Sequence, residues 1–217
     1  MRALSLPGVY APQADTALLA GALHEEPLRP GAQVLDLCTG SGALALTAAR
    51  RGADVTAVDV SWRAVLTTRV NARWARLPIR VLRGDLLEPV AGHAFDLILS
   101  NPPYVPAPDV RPPRRGPARS WDAGNDGRLL LDRICQQAPA QLRPGGVLLL
   151  VHSALSNPES TLARLRAEGL NATVTDRRYT AFGPVLRARQ SWLRSTGLLQ
   201  GDTEKEELVI IRAERPL

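Results

Sequence analysis

Short apolar runs of strand length alternate along this chain with stretches of helical pattern, and that alternation leaves few folds open. Residues 33–37, 53–58, 78–82 and 95–100 each read as a strand. The last of these, Phe95-Asp96-Leu97-Ile98-Leu99-Ser100, is nearly continuous in its apolar character, as expected of a strand covered on both faces. Asp15 stands where it would cap a helix running to about Glu26, with Leu18, Leu19, Ala22 and Leu23 on one face. A helix is predicted over 43–51, closed by Gly52, and Ser61 caps another that continues to about Ala75. Farther on, Asp126 opens a helix to about Leu142, and Arg143-Pro144-Gly145-Gly146 turns into a strand at 147–151. Asn157 caps a helix ending at Gly169, and 170–180 and 207–213 read as final strands; 184–200 shows no clear pattern. Units of this kind pack as an α/β fold, a doubly wound and mostly parallel sheet. A single domain over residues 1–217 is the expectation, with a proline- and arginine-rich loop at 105–124 rather than a linker.

The charge balance points to an acidic partner without deciding which. The net charge is +6, yet of the 27 basic residues Lys205 is the single lysine, a skew that also fits a codon bias. The local cluster Arg111, Arg114, Arg115 and Arg119 is more telling, since it lies in the loop at 105–124 and suits RNA or a ribosomal surface. Apolar runs such as Val147 to Val151 are far too short to cross a bilayer, and the start of the chain lacks the apolar core of a secretory signal. Cys38 and Cys135 form neither a CxxC pair nor a metal-ligand spacing, so a cytoplasmic, reducing setting and no bound metal are expected.

The segment Asp36-Leu37-Cys38-Thr39-Gly40-Ser41-Gly42 follows the first strand and opens a helix. Its glycines permit a tight turn against a ligand, and the helix N-terminus favours a negative group. Gly40, Gly42 and Ala45 also satisfy a dinucleotide pattern with Asp59 at a suitable interval, so a nicotinamide enzyme fits this stretch. The acidic side chains argue otherwise. Asp36, Asp59 and Asp85 all fall at strand ends, where three carboxylates would repel a pyrophosphate. They suit an ammonium group, a ribose diol and an adenine amine, all of which S-adenosylmethionine carries.

The fourth strand runs into Asn101-Pro102-Pro103-Tyr104. Two successive prolines keep this tetrapeptide extended, so it presents carbonyl acceptors, an amide side chain and an aromatic face in fixed positions. Such a wall suits a planar –NH2 group.

These motifs resemble those of the class I methyltransferases of the HemK type, the release-factor glutamine N5-methyltransferases. The resemblance runs from Val9-Tyr10-Ala11-Pro12-Gln13-Ala14-Asp15-Thr16 through Asp36 to Gly42, Asp59, Asp85 and Asn101 to Tyr104. It continues into Ala123-Gly124-Asn125-Asp126-Gly127 and Arg143 to Gly146. It implies a Rossmann-like fold, a seven-stranded sheet with an antiparallel last strand, and direct methyl transfer from S-adenosylmethionine. In that scheme Asn101 and Pro102 accept both N–H bonds of a glutamine amide, flanked by Pro103, and Tyr104 stacks on the amide near the sulfonium. Thr39, Gly40 and Gly42 line the methionine end with Asp36 near its ammonium. Asp59 takes the ribose, Asp85 and Leu86 bracket the adenine, and Thr16 closes the pocket. Two departures stand out. Cys38 occupies the place of the family's first glycine, and the family's N-terminal helical domain does not precede Tyr10, as in the short branch that works with a small zinc-binding activator protein. Methylation of an exocyclic amine of adenine or guanine in RNA or DNA is the chief rival, and a non-catalytic cofactor-binding scaffold a further one.

Overall fold

The computed structural model describes residues 4–111, 113, 116–201 and 203–217. Its sheet is built from β1 (Gln33–Leu37), β2 (Asp54–Asp59), β3 (Ile79–Arg83), β4 (Phe95–Ser100), β5 (Leu142–Ser153), β6 (Asn171–Ala181) and β7 (Lys205–Glu214). Six helices accompany them: α1 (Ala14–Glu25), α2 (Ala43–Arg50), α3 (Trp62–Ala75), α4 (Leu129–Gln137), α5 (Pro158–Ala167) and α6 (Pro184–Ser195). The strand order is β3-β2-β1-β4-β5-β7-β6; β1 to β5 run parallel, and β7 is antiparallel to both of its neighbours. The expected doubly wound sheet with a reversed last strand is what forms.

Burial explains the strand patterns. Val34 to Leu37, Leu97 to Ser100 and Val147 to Ser153 are all buried, the signature of strands covered by helices on both faces. The β1–β4 junction is the centre of the sheet and the place where the chain order reverses, and open α/β sheets bind ligands at such a switch point. At the far edge β6 is exposed along most of its length and carries Asp176, Arg177 and Arg178. Charges of this kind keep an unpaired strand edge from recruiting another chain.

Four boundaries differ from the sequence reading, the simplest being that Arg143 to Gly146, expected as a turn, already belong to β5. The helix expected over 126–142 is only α4, because Pro139 cannot donate to a continuing helix; it starts a three-ten turn, Pro139–Gln141, that leads straight into β5. Asp15 does not cap α1. Gln13 holds that position without a side-chain bond, and Asp15 is turned inward with only 3% of its surface exposed. Finally, the segment 184–200 contains α6, which buries just Leu186 and Leu193 in a small satellite cluster with Phe182 and Leu199. Two apolar anchors seven residues apart on an arginine-rich helix leave too thin a stripe for sequence periodicity to register.

Candidate active site

Thr16, Thr39, Gly40, Asp59, Asp85, Leu86 and Asn101 to Tyr104 line one cavity of about 740 Å³ at the carboxyl ends of the parallel strands, within the size range of small-molecule sites. Its floor is the turn between β1 and α2. Gly42 adopts φ +82°, and a Cβ there would stand 2.7 Å from Thr68 Cγ2, so the residue must be glycine for α3 to pack under the turn. The Thr68 hydroxyl donates to the Gly40 carbonyl at 3.0 Å and fixes the turn from below. Cys38, in the place of the family's glycine, is also left-handed at φ +59°, a conformation that strains a side-chain-bearing residue. Burial and the neighbouring carboxylates push its thiol well above the ordinary value, which makes it an inert filler.

The carboxylates divide into two kinds. Asp59 lines the cavity and accepts from the Gly40 amide at 3.0 Å and the Ser61 amide at 2.8 Å, so it joins the turn to the start of α3. Asp36 does not form part of the cavity wall, contrary to its expected place beside an ammonium group. It is fully buried behind the turn, where one oxygen accepts from the Thr39 hydroxyl at 2.6 Å and the Ala45 amide at 3.0 Å. Its role is to tie the turn to α2. Gly42 likewise lies under the turn, whereas Thr39 and Gly40 face the cavity. On the far wall Asp85 pairs through both oxygens with Arg133, at 2.8 and 3.1 Å, and Leu86 beside it is buried with φ +49°.

Desolvation pushes the Asp36 carboxyl up to about 7, and the same cause raises Glu206, which lines the cavity, to about 7. Both groups take up protons in the folded state at pH values where the unfolded chain has released them. Their stabilising contribution is complete below the unfolded carboxylate range and is lost as pH rises through 7. The denaturation free energy is therefore expected to fall by about 3 kcal/mol or more between pH 4.5 and pH 8. Asp36→Asn should flatten part of that decline in urea titrations at both pH values; a profile as steep as the parent's would remove Asp36 as a source.

The acceptor wall is held by α1. The Asn101 side-chain nitrogen donates to Thr16 Oγ1 at 3.2 Å, which leaves its oxygen as an acceptor toward the cavity. Pro102 follows with a carbonyl and no N–H. Tyr104 is 7% exposed, and its hydroxyl donates to Asp15 Oδ2 at 3.1 Å; Tyr10 donates to the same oxygen at 2.8 Å. The other Asp15 oxygen accepts from the Thr16 amide at 2.6 Å. Burial and the Asp15 charge raise both phenols, so each stays protonated and keeps donating. Behind Tyr104, its carbonyl accepts from the Ser156 hydroxyl at 2.7 Å.

The loop at 105–124 is fastened at its two ends. Val105 and Trp121 share a 2.8 Å backbone bond, Ala107 donates to Gly124 at 2.9 Å, and Arg189 of α6 ion-pairs with Asp122 at 2.6 Å. Of the four arginines expected to face an acidic partner, Arg119 lines the cavity and acts electrostatically on Asp59, while Arg111 is exposed. Arg114 and Arg115 lie outside the described residues.

Two site residues escaped the sequence reading. Asp15 was expected at a helix cap, and its spacing from Tyr10 was the available signal for its place between two phenols. Glu206 carried none, because it begins a strand, and ligands were sought where strands end. Since β7 is reversed, its first residues reach the same edge as the last residues of β4 and β5. Among the described residues no helix is long and apolar enough to cross a membrane.

Comparison with known proteins fits this geometry. Residues 1–112 match the model of the methyltransferase small domain. A protein of Methanocaldococcus jannaschii, named as an N5-glutamine methyltransferase of proteins, is 32% identical over 79% of this chain and 85% of its own length. The release factor glutamine methyltransferase of Bordetella pertussis is 39% identical over 76% of this chain, and the match spans 63% of that enzyme. Among solved structures, the E. cuniculi Mtq2–Trm112 complex responsible for methylation of the eRF1 translation termination factor superposes with a TM-score of 0.68 and 25% identity, covering 96% of this chain and 99% of that one. The T. thermophilus 16S rRNA N2 G1207 methyltransferase, solved with AdoMet and guanosine, gives 0.64 and 27% identity over 97% of this chain and 46% of that one.

Proposed function

Because the chain belongs to the methyltransferase small-domain family, and within it to the N5-glutamine methyltransferases, we propose that it methylates the side-chain amide nitrogen of a glutamine in a peptide chain release factor, using S-adenosylmethionine in the cytoplasm. The observation that carries this reading is the commitment of the Asn101 nitrogen to Thr16, which fixes the Asn101 oxygen and the Pro102 carbonyl as a paired acceptor for one –NH2 group. An amide nitrogen is a weak nucleophile, and holding both of its hydrogens aims it at the methyl group; alignment of this kind contributes up to roughly 7–11 kcal/mol. Tyr104, locked through Asp15, supplies a fixed aromatic face for the amide plane.

The residues on the opposite side fit the methyl donor. Asp59 stands at the turn where ribose hydroxyls would be held, Asp85 and Leu86 would flank the adenine, and the Gly40 turn leaves room for the methionine end. When bound there, S-adenosylmethionine supplies an electrophilic methyl group. A small zinc-binding activator protein belongs to the same reading, in keeping with a solved neighbour that is itself a two-protein complex.

The likeness to an rRNA guanine methyltransferase supports a second reading, in which the acceptor is an exocyclic amine of RNA and Arg111 meets the phosphates. Incubation of the protein with labelled S-adenosylmethionine and either release factor or rRNA separates the two, with and without a co-expressed activator. Label is expected in release factor, at its glutamine by mass spectrometry; label confined to rRNA would reverse the assignment.

A further inference from the structure

We propose that Arg133, on α4, is a positioning residue of the cofactor pocket. It holds the Asp85 carboxylate toward the base of S-adenosylmethionine and so makes the pocket select a purine with an exocyclic amine. This deepens the reading above and rests on its assignment of Asp85 and Leu86 to the adenine.

The backbone at this end of the cavity is fixed by its own neighbours. Gly84 follows β3, and a Cβ there would stand 2.0 Å from Pro89 Cγ, so only glycine lets the chain pass. The Gly84 amide donates to the Asp59 carbonyl at 3.1 Å, and the Glu88 amide donates to the Asp85 carbonyl at 3.2 Å. Neither bond reaches the Asp85 carboxylate, and that side chain is 42% exposed. An aspartate this open to water samples several rotamers unless another group holds it. Here Arg133 Nη1 donates to Oδ1 at 3.1 Å and Nη2 donates to Oδ2 at 2.8 Å. Such a fork sets the plane of the carboxylate as well as its distance, which a single ammonium does not.

The pair does little for folding. Its arginine is itself 36% exposed, and ion pairs as open as this contribute close to nothing to stability. Both partners instead line the cavity, together with Leu86 and with Leu130, which stands three residues before Arg133 on the same face of α4. Each carboxylate oxygen keeps a second lone-pair site beyond the one the guanidinium takes. A site of this kind beside two leucines accepts from an exocyclic amine. An exocyclic oxygen in the same place would set acceptor against acceptor and leave both unpaired. Arg133 does not touch the base in this scheme. It acts through Asp85, by ordering that side chain before the base arrives.

The test is calorimetric binding of S-adenosylhomocysteine and of S-inosylhomocysteine, whose purine carries an oxygen in place of the amine. The parent, Arg133→Met, Arg133→Lys, Asp85→Asn and the Arg133→Met/Asp85→Asn double variant are compared. The parent is expected to bind the amine form about 10²-fold more tightly. Arg133→Met should cut that ratio about tenfold by weakening the amine form alone. Arg133→Lys, which keeps the charge but not the fork, should fall between the two, and it carries the comparison if Arg133→Met fails to fold by circular dichroism. In the Asp85→Asn background, Arg133→Met should change the ratio less than about twofold, because the residue it acts through is gone. A ratio unchanged by Arg133→Met, an equal loss of both ligands, or the same loss with and without the Asp85 carboxylate would each overturn the proposal. Failure of the underlying cofactor reading looks different: the parent itself would bind neither ligand, or both alike, and the role of Arg133 falls with it.

Discussion

Asn101→Ala is expected to lower methyl transfer by about 10³-fold or more while S-adenosylmethionine still binds within about tenfold of the parent's affinity. The reasoning follows from the hydrogen bonds of this one side chain. Its nitrogen is spent on Thr16 Oγ1, so the oxygen is oriented before any substrate arrives. Without it the amide keeps one acceptor, the Pro102 carbonyl, and is free to rotate about that single bond. Alignment with the methyl group is then lost more often than it is found. The residues proposed to hold the cofactor, chiefly Asp59, Gly40 and Leu86, line the cavity apart from this side chain and are left intact by the substitution. Asn101→Asp, which keeps an acceptor oxygen, should fall between the two. Single-turnover transfer and calorimetry on the same preparations decide the matter, and near-parental transfer by the alanine variant would remove Asn101 from its assigned role.

A second large effect is expected directly behind the acceptor wall. Gly127 has φ +72°, and a Cβ there would lie 2.2 Å from the Tyr104 carbonyl oxygen and 2.5 Å from Ser156 Oγ. Backbone cannot yield as the end of a flexible side chain can. Gly127→Ala should therefore either push Tyr104 out of the wall or destabilise the loop that backs it. The left-handed backbone and the two overlaps together make a loss of about 3 kcal/mol or more, or roughly 10 °C in Tm for a chain of this size. Gly92→Ala is the control for the backbone conformation. It has φ +79° but nothing within 4 Å of a Cβ, so it should show only the smaller conformational part. Equal melting temperatures for the two variants would mean that the close approach to Tyr104 contributes nothing.

Gly127 also shows what the sequence left unsaid. The run Ala123-Gly124-Asn125-Asp126-Gly127 was visible as a motif, yet its purpose was not. Its backbone donates from Ala123 to Val105 at 3.1 Å and accepts from Ala107 at Gly124, so it closes a short bridge behind the acceptor wall. That pairing joins residues about twenty positions apart across a loop without periodicity. Asn101 to Tyr104 was legible for the opposite reason, because proline stiffness is a local property that needs no neighbours.

The alternation of apolar strands and helical segments determined the sheet, and the glycine turn with its strand-end carboxylates marked the edge where the site would form. These are signals carried by residues near one another in the chain. Tertiary structure alone decided how the carboxylates were shared. Asp36 and Asp59 look alike in sequence, but the first is sealed behind the turn by its bonds to Thr39 and Ala45 and the second opens on the cavity. It also turned Asp15 from a helix cap into the clamp of two tyrosines and brought Glu206 to the active edge on a reversed strand. Burial and strand direction belong to the whole fold, and no window of sequence contains them.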